Sequence, residues 1–283
     1  MTSATFKNIY YLGPDGSNSH KAMFEFLNVS NIKVENKVPQ KTIKTTIESL
    51  VNDEDSIAVL PIENSIEGIV RETIDNILRI KNQDIRIQGE ISISINHLLL
   101  SKANDVNQIK KIYSHHQAIA QCSGYLFDNF KTAEIKEVSS TSYAAEKVSL
   151  SDDNTLAAIA NETSAKIFGL NILSDDLNDE IGNTTRFYVL SRKSLEKTKK
   201  GKTSLILSTK NKSGALCEVL KIFHKNNINL TYIDSRPSRK KLGEYLFFIE
   251  FDGYEIDDKS ICAIEELKDH TDFIRVLGSY QIY

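Results

Sequence analysis

Short apolar runs alternate with amphipathic stretches through the first two thirds of the chain, and each run stops at a polar cluster. Ile9-Tyr10-Tyr11-Leu12 ends at Gly13-Pro14-Asp15-Gly16 and reads as a buried strand with a tight loop after it. Ser17 or Ser19 then caps a helix to about Leu27, with Ala22, Met23, Phe26 and Leu27 on its apolar side. Lys33 to Val38 predicts a second strand. Ile43, Ile47 and Leu50 give residues 43–51 a helical period. Ser56 to Ile62 is a third, buried strand that runs into Glu63-Asn64-Ser65 and then Gly68. Residues 85–100 read mostly as strand. Ile91, Ile93 and Ile95 alternate there with Ser92, Ser94 and Asn96, as in a half-exposed strand crossing between lobes.

Beyond the crossing the alternation restarts. Lys111 to Tyr113 is a strand, Ser114-His115-His116-Gln117 follows, and a helix runs to about Phe127. Glu134 to Val138 is a strand, after which Ser139-Ser140-Thr141-Ser142 caps a helix through Val148. Thr155 to Ala160 is a strand, and Asn161-Glu162-Thr163 caps a helix to Phe168 that Gly169 stops. Residues 58–64 and 156–162 share one plan: apolar strand, Asn/Glu pair, helix. This repetition predicts two α/β lobes with a cleft between them. Strand ends and helix N-termini rich in Ser, Thr and Asn favour an anionic ligand in that cleft.

The chain returns through residues 175–182 to Asn183-Thr184-Thr185-Arg186-Phe187 near the hinge. This polar turn, preceded by Gly182, feeds the apolar strand Tyr188-Val189-Leu190. Two hydroxyls, an amide and a guanidinium lie within four residues. Such a cluster either faces a cleft from a strand edge or forms a hairpin turn with a surface arginine. Asn64 can donate and accept hydrogen bonds, and Glu63 can accept or act as an acid; helix capping by Asn64 or Ser65 is the structural alternative.

After residue 192 the pattern changes. Residues 192–202 hold six basic residues, one acid and one glycine, the composition of a solvated connector. Thr203 to Ser208 is a strand. Ser213-Gly214 opens a helix with Leu216, Val219, Leu220 and Phe223 on one face. Asn229 to Ser235 is a strand, 236–243 a turn, 245–251 a strand, 261–267 a helix and 273–277 a last strand. The order βαββαβ is ferredoxin-like, a unit that often binds an effector where two copies meet.

A length of 283 residues suits two domains. Forty per cent hydrophobic and 26% charged residues are ordinary for a globular protein, and a net charge of −3 argues against nucleic acid as the main partner. The three cysteines form no CxxC and read as buried thiols of a reducing cytosol. Met1 to Asn8 hold no signal-peptide run, and no segment approaches the roughly 18 apolar residues of a membrane span. A cytoplasmic location without a membrane partner is therefore expected. His115 and His116 are adjacent and expected to diverge, no zinc-like spacing accompanies them, and His20 and His97 stand alone, so no metal is expected. No GxSxG nucleophile elbow occurs.

Tyr11-Leu12-Gly13-Pro14, Pro61-Ile62-Glu63-Asn64-Ser65, Ser114-His115 with Gln117 and Gln121-Cys122, Ser140-Thr141, and Asn183 with Thr185-Arg186-Phe187 follow one another in an order that resembles the prephenate dehydratase family over almost the whole chain. The C-terminal unit resembles an ACT regulatory domain. Gly214-Ala215-Leu216 and Ser235-Arg236-Pro237 match its two phenylalanine-binding motifs, and Asn229 and Leu230 are counted with them. The resemblance implies a two-lobed catalytic domain like the type II periplasmic binding proteins at 1–192, with lobes at about 1–97 plus 175–192 and about 98–174, a linker at 193–202 and an ACT domain at 203–283.

It further implies decarboxylative dehydration of prephenate to phenylpyruvate in phenylalanine biosynthesis, feedback inhibition by L-phenylalanine, no cofactor, and a tetramer built as a dimer of dimers. The family's catalytic threonine falls on Thr185, and other activity-linked residues on Asn64, Ser114 and Gln121. Ser65, Ser140, Thr141, Arg186 and Phe187 lie in the substrate-binding motifs. Arg186 either clamps a carboxylate or anchors its loop. Three positions depart from the family. His116 replaces a usual proline, Asn18 a usual aromatic, and Asp234 a usual glutamate, which shortens a side chain at the effector site and alters expected inhibitor affinity. With a first strand by Ile9, no room is expected for the helical chorismate mutase domain that some relatives carry in front. Arogenate dehydration and a non-catalytic two-lobed amino-acid or anion sensor remain the alternative functions.

Overall fold

Residues 4–80, 84–195, 200–237 and 244–283 are described by the computed structural model. Two units result: Met1–Lys81 with Ile91–Phe187, and Asn82–Glu90 with Tyr188–Tyr283. The first unit carries the predicted repetition. Its first lobe runs β1 (Thr5–Leu12), α1 (Asn18–Val29), β2 (Lys33–Gln40), α2 (Ile43–Asn52), β3 (Ser56–Asn64), β4 (Gly68–Ile69) and α3 (Arg71–Arg79), and the chain leaves it along β5 (Arg86–Ser94). The second runs β6 (Leu98–Ser101), β7 (Lys111–Ser114), α4 (His116–Gln121), α5 (Ser123–Asn129), β8 (Glu134–Glu137), α6 (Thr141–Ser149), β9 (Leu156–Ala160), α7 (Glu162–Phe168) and β10 (Asn171–Ser174). The chain returns by β11 (Thr184–Ser191).

The sheet orders are β5-β11-β3-β1-β2 in the first lobe and β10-β6-β9-β7-β8 in the second. In the first lobe β1 lies between β2 and β3, and in the second β7 lies between β8 and β9, each parallel to both neighbours. Parallel neighbours need crossovers, which the intervening helices supply. Sheets covered on both faces favour unbroken apolar strands. In β9, Ala157 and Ile159 pack with Ala118, Cys122 and Leu126, while Leu156, Ala158 and Ala160 pack with Ala144, Ala145 and Val148.

Three helix starts follow the predicted caps: Ser17 Oγ accepts from His20 N, Ser140 Oγ from Tyr143 N, and Asn161 Oδ1 from Ser164 N. At α2, for which no cap was expected, Thr42 and Thr45 form a capping box. Gly169 ends α7 in the left-handed conformation. Elsewhere the structure departs from expectation. The strand predicted over 85–100 breaks at residues 95–97, because its backbone bonds to the returning segment: Ile95 N donates to Asn183 O at 2.8 Å and His97 N to Asn178 Oδ1 at 2.8 Å. The single helix expected to about Phe127 is split at Cys122 into α4 and α5, and Asp179 accepts from Gly124 N at 3.0 Å at the restart. Helix α3 and strand β10 were not anticipated. In α3 the apolar face is short, formed by Ile74, Ile77 and the half-buried Leu78, and Thr73 is buried with its hydroxyl donated to Pro61 O at 2.6 Å.

The second unit contains β12 (Gly201–Thr209), α8 (Ala215–Lys225), β13 (Leu230–Pro237), β14 (Tyr245–Asp252), α9 (Asp258–His270) and β15 (Thr271–Ile282). Strand order β13-β14-β12-β15 with antiparallel neighbours is the expected βαββαβ arrangement. Leu205, Leu207, Ile249 and Phe251 pack against Val219, Phe223, Ala263 and Leu267 of the two helices. Segment 86–90 also belongs here: Ile87 and Gly89 pair with Gly278 and Gln281, and buried Glu90 bonds Lys202 Nζ at 2.8 Å. Of the expected linker 193–202, residues 196–199 lie outside the described residues, as do 238–243 of the expected turn. No helix among the described residues is long and apolar enough to cross a membrane.

One cysteine fits the buried-thiol expectation. Cys122 is buried, which pushes its thiol up to about 12, whereas Cys217 and Cys262 are exposed. Alkylation of the native protein at neutral pH is therefore expected to modify Cys217 and Cys262 and spare Cys122, since the thiolate is the nucleophile. Rapid labelling of all three, read by peptide mass spectrometry, would contradict that burial.

Candidate active site

Within the first unit, the ends of β3 and β11 meet the crossing between lobes. Asn64 Oδ1 accepts two backbone bonds, from Ile66 N and Glu67 N, each at 3.0 Å. Backbone N–H groups can only donate, so the Asn64 nitrogen faces the other way. It donates to Asn183 Oδ1 at 2.8 Å and Thr185 Oγ1 at 2.9 Å, with Thr184 O at 3.3 Å. Asn183 Nδ2 donates in turn to Gln121 Oε1 at 3.0 Å, and Gln121 Nε2 to Glu67 Oε1 at 3.3 Å. Thus Thr185, Asn64 and Gln121, predicted from distant motifs, are joined through Asn183 and Glu67. Ser65 is tied to the same turn, accepting from Thr184 N at 3.0 Å and donating its own N–H to Thr184 O at 2.9 Å.

Other predicted residues lie differently. Arg186 holds Glu63 through Nε at 3.1 Å and Nη2 at 3.0 Å, which is loop anchoring. Phe187 is packed in the interior. Ser114 is fully buried and donates its hydroxyl to Ile159 O at 2.7 Å. Ser140 caps α6 and Thr141 begins it. His115 and His116 do not diverge: their ring centroids are 4.1 Å apart, because the first is an extended cap residue and the second starts the helix. Among the described residues no group of His, Cys, Asp or Glu is placed to hold a metal ion.

A second junction joins the lobes at the loop after β1. Ser142 Oγ donates to Asp15 O, Ser164 Oγ to Gly16 O at 3.0 Å, and Asn161 Nδ2 to Asn18 Oδ1 at 2.9 Å. Gly16 has φ +83°, and a Cβ there would stand 2.7 Å from Ser142 Oγ and 2.8 Å from Ser164 Oγ. The glycine therefore serves close approach between lobes. Gly16→Ala is expected to lower stability by about 1–3 kcal/mol through its backbone strain, and to raise KM for the cleft's substrate. Wild-type denaturant and saturation curves would contradict this.

Sequence reasoning missed the parts of the site that depend on chain crossing. Lys21 of α1 donates to Ser94 O at 2.9 Å, beside the Ile95–Asn183 backbone bond, and brings a cation there. His97, read as solitary, is buried with Nε2 2.9 Å from Gln121 Oε1. His20 accepts from Gly16 N at its Nδ1 at 2.9 Å and stacks on Tyr11. Burial lowers the pKa of both His20 and His97. A histidine held neutral in the fold gives its full stability above its unfolded pKa of about 6.5 and loses it as pH falls below that value. Tm is therefore expected to decline between pH 7 and 5, less steeply after His20→Gln. Identical pH slopes would remove His20 from this linkage.

Two α/β lobes that meet over a run of neutral hydrogen-bond donors, followed by a βαββαβ unit, define a two-lobed small-molecule protein with an appended ligand-responsive module. Comparison with known proteins narrows this class. The prephenate dehydratase family model matches residues 9–195, and the ACT domain model matches residues 203–268. A prephenate dehydratase of Methanocaldococcus jannaschii is 39% identical over 281 residues, covering 98% of this chain and 99% of its relative. A bifunctional chorismate mutase/prephenate dehydratase of Aquifex aeolicus is 38% identical, covering 96% of this chain and 73% of the relative. A solved prephenate dehydratase from Arthrobacter aurescens, in complex with L-Phe, superposes with TM-score 0.85 at 31% identity, over 97% of this chain and 90% of that one. The chain belongs to the prephenate dehydratase family and carries a C-terminal ACT domain. Membership makes it an enzyme of the lyase class.

Proposed function

We propose that the chain converts prephenate to phenylpyruvate, CO2 and water, with Thr185 assisting departure of the ring hydroxyl. One observation carries the assignment: Asn64, its oxygen engaged by two backbone N–H groups, donates to Thr185 Oγ1, so that hydroxyl keeps its own proton to give away. As the carboxylate leaves as CO2, its bonding electron pair enters the ring, the diene shifts, and the C–O bond breaks. The departing oxygen takes one proton, drawn from solvent, to become water. Thr185 is a feeble acid, so its contribution is a placed hydrogen bond to the developing charge, while aromatisation supplies the driving force. Asn64 and Gln121 orient the cluster, Ser65 and Arg186 hold its turn, and Lys21 supplies positive charge for the dianionic substrate. Ser114, Ser140, Thr141 and Phe187 shape the two walls. No cofactor enters the reaction.

L-Phenylalanine is the proposed feedback inhibitor, supported by the ACT match and by the L-Phe complex of the Arthrobacter relative. In the second unit Gly214 caps α8 in a left-handed conformation, with Ala215 and Leu216 behind it. Ser208 of β12 and Arg236 of β13 both flank Leu246 of β14, which puts Gly214–Leu216 and Ser235–Pro237 at one end of the sheet. Asn229, which donates to Asp252 Oδ2 at 2.8 Å, and Leu230 lie at the other end, about 20 Å away by strand rise. An effector touching both sets needs a second copy, which favours the dimer of dimers. The proposed division is a catalytic domain at 1–192, a linker at 193–202 and the ACT domain at 203–283, acting in the cytoplasm.

The purified protein offered prephenate and arogenate decides the reaction. Phenylpyruvate from prephenate is expected. Phenylalanine from arogenate alone would make it an arogenate dehydratase, and no product from either would leave a binding protein.

A further inference from the structure

The direction of every amide around Thr185 follows from two backbone donors. Ile66 N and Glu67 N fix the Asn64 oxygen, and the Asn64 nitrogen then meets the oxygen of Asn183. Asn183 must therefore give its nitrogen to Gln121, which presents its oxygen at 3.0 Å. The remaining Gln121 nitrogen faces the Glu67 carboxylate, an acceptor, so the assignment is consistent at both ends. The same Gln121 oxygen lies 2.9 Å from His97 Nε2. Only a protonated nitrogen is satisfied there. Burial keeps the ring neutral, so its single proton sits on Nε2.

We propose that His97 is a positioning residue for the dehydration: by donating Nε2–H to Gln121 Oε1, it holds the Gln121 amide in the one sense that accepts from Asn183, which keeps Asn183 Oδ1 turned to the Asn64 nitrogen beside Thr185. The inference rests on the reading of Thr185 given above. A flipped Gln121 amide would set its NH2 against the Asn183 NH2 and its oxygen against Glu67. Asn183 would then either face that NH2 without an acceptor or turn over and withdraw its oxygen from the Asn64 nitrogen. His97 is itself held from the returning segment, its N–H donated to Asn178 Oδ1 at 2.8 Å and its carbonyl accepting from Leu177 N at 3.3 Å. The ring thus ties the crossing of the lobes to the reacting end of the cluster.

Two substitutions separate this role from packing. A glutamine places its amide nitrogen near the imidazole Nε2 position, whereas an asparagine is too short to reach it. His97→Gln is expected to keep kcat within about threefold of wild type. His97→Asn is expected to lose kcat roughly 10- to 100-fold while KM stays nearly constant. Equal losses in the two variants, or a wild-type kcat in His97→Asn, would overturn the role. Two-bond ¹H–¹⁵N spectra of histidine-labelled wild-type protein give a readout independent of variant folding. The neutral Nε2–H form is expected at pH 7, and the Nδ1–H form would overturn the inference. Wild-type protein inert toward prephenate would overturn the Thr185 reading and the positioning role with it, even with the Nε2–H form present. Active wild-type protein with an indifferent His97→Asn would overturn the His97 inference alone.

Discussion

Thr185→Val is expected to cut kcat for prephenate roughly 10²–10⁴-fold, the range for a placed donor or acid at a leaving group. KM and Tm should stay near wild type. Valine has nearly the volume and branching of threonine, so packing around the half-buried site persists. Asn64 loses one acceptor but keeps Asn183 Oδ1 at 2.8 Å and Thr184 O at 3.3 Å. What disappears is the hydroxyl proton that the Asn64 bond leaves available. Thr185→Ser, which restores that proton, should recover most of the rate. Steady-state kinetics on both variants checks the claim, and near-normal turnover by the valine variant would remove Thr185 from the chemistry.

The second large effect is expected at Arg236. Its side chain is buried, with Nε 3.0 Å from Asp234 Oδ2 in a geometry that pairs the charges without a hydrogen bond. Among the described residues its Nη2 also makes no hydrogen bond. A guanidinium with donors to spare suits the carboxylate of an amino acid. Arg236→Met retains the long apolar stem and removes the charge. L-Phenylalanine inhibition should then weaken roughly 10- to 100-fold, the loss of one charge-assisted hydrogen-bonding group, while turnover without phenylalanine persists. Unchanged inhibition curves would place carboxylate recognition elsewhere. This substitution is a cleaner test than deleting 203–283, which would also strip Ile87 and Gly89 of their β15 partners and the Glu90 carbonyl of its bond from Tyr283 N.

The lobes were legible because their signals are local. Apolar runs of strand length, and caps such as Ser17, Ser140 and Asn161 that act within three residues of themselves, report structure without knowledge of the rest of the chain. Site membership was legible as motif order. The bonds inside the site were not, because their partners are remote: Asn64 and Thr185 are 121 residues apart, Asn183 and Gln121 62, His97 and Gln121 24. A solitary histidine in a strand-like stretch gives no sign that the strand will break beside it. Ser114 shows the converse limit. A hydroxyl at a strand end suggests a ligand, yet here it turns inward to Ile159 O. The exposed cysteines followed a similar error of orientation, since Cys217 follows Leu216 on α8 but lies off its buried face.

The two main-chain hydrogens that hold Asn64 have a practical consequence for mutagenesis. Alanine replacement of Ile66 leaves its peptide N–H in place, so a conventional scan would score that position as dispensable. Proline, or an ester in place of the amide, would instead remove one of the two bonds that hold the Asn64 oxygen and leave only that from Glu67 N. Part of the machinery that sets the polarity of the Thr185 hydroxyl is thus written in no side chain at all, and a catalogue of tolerated residues would pass over it.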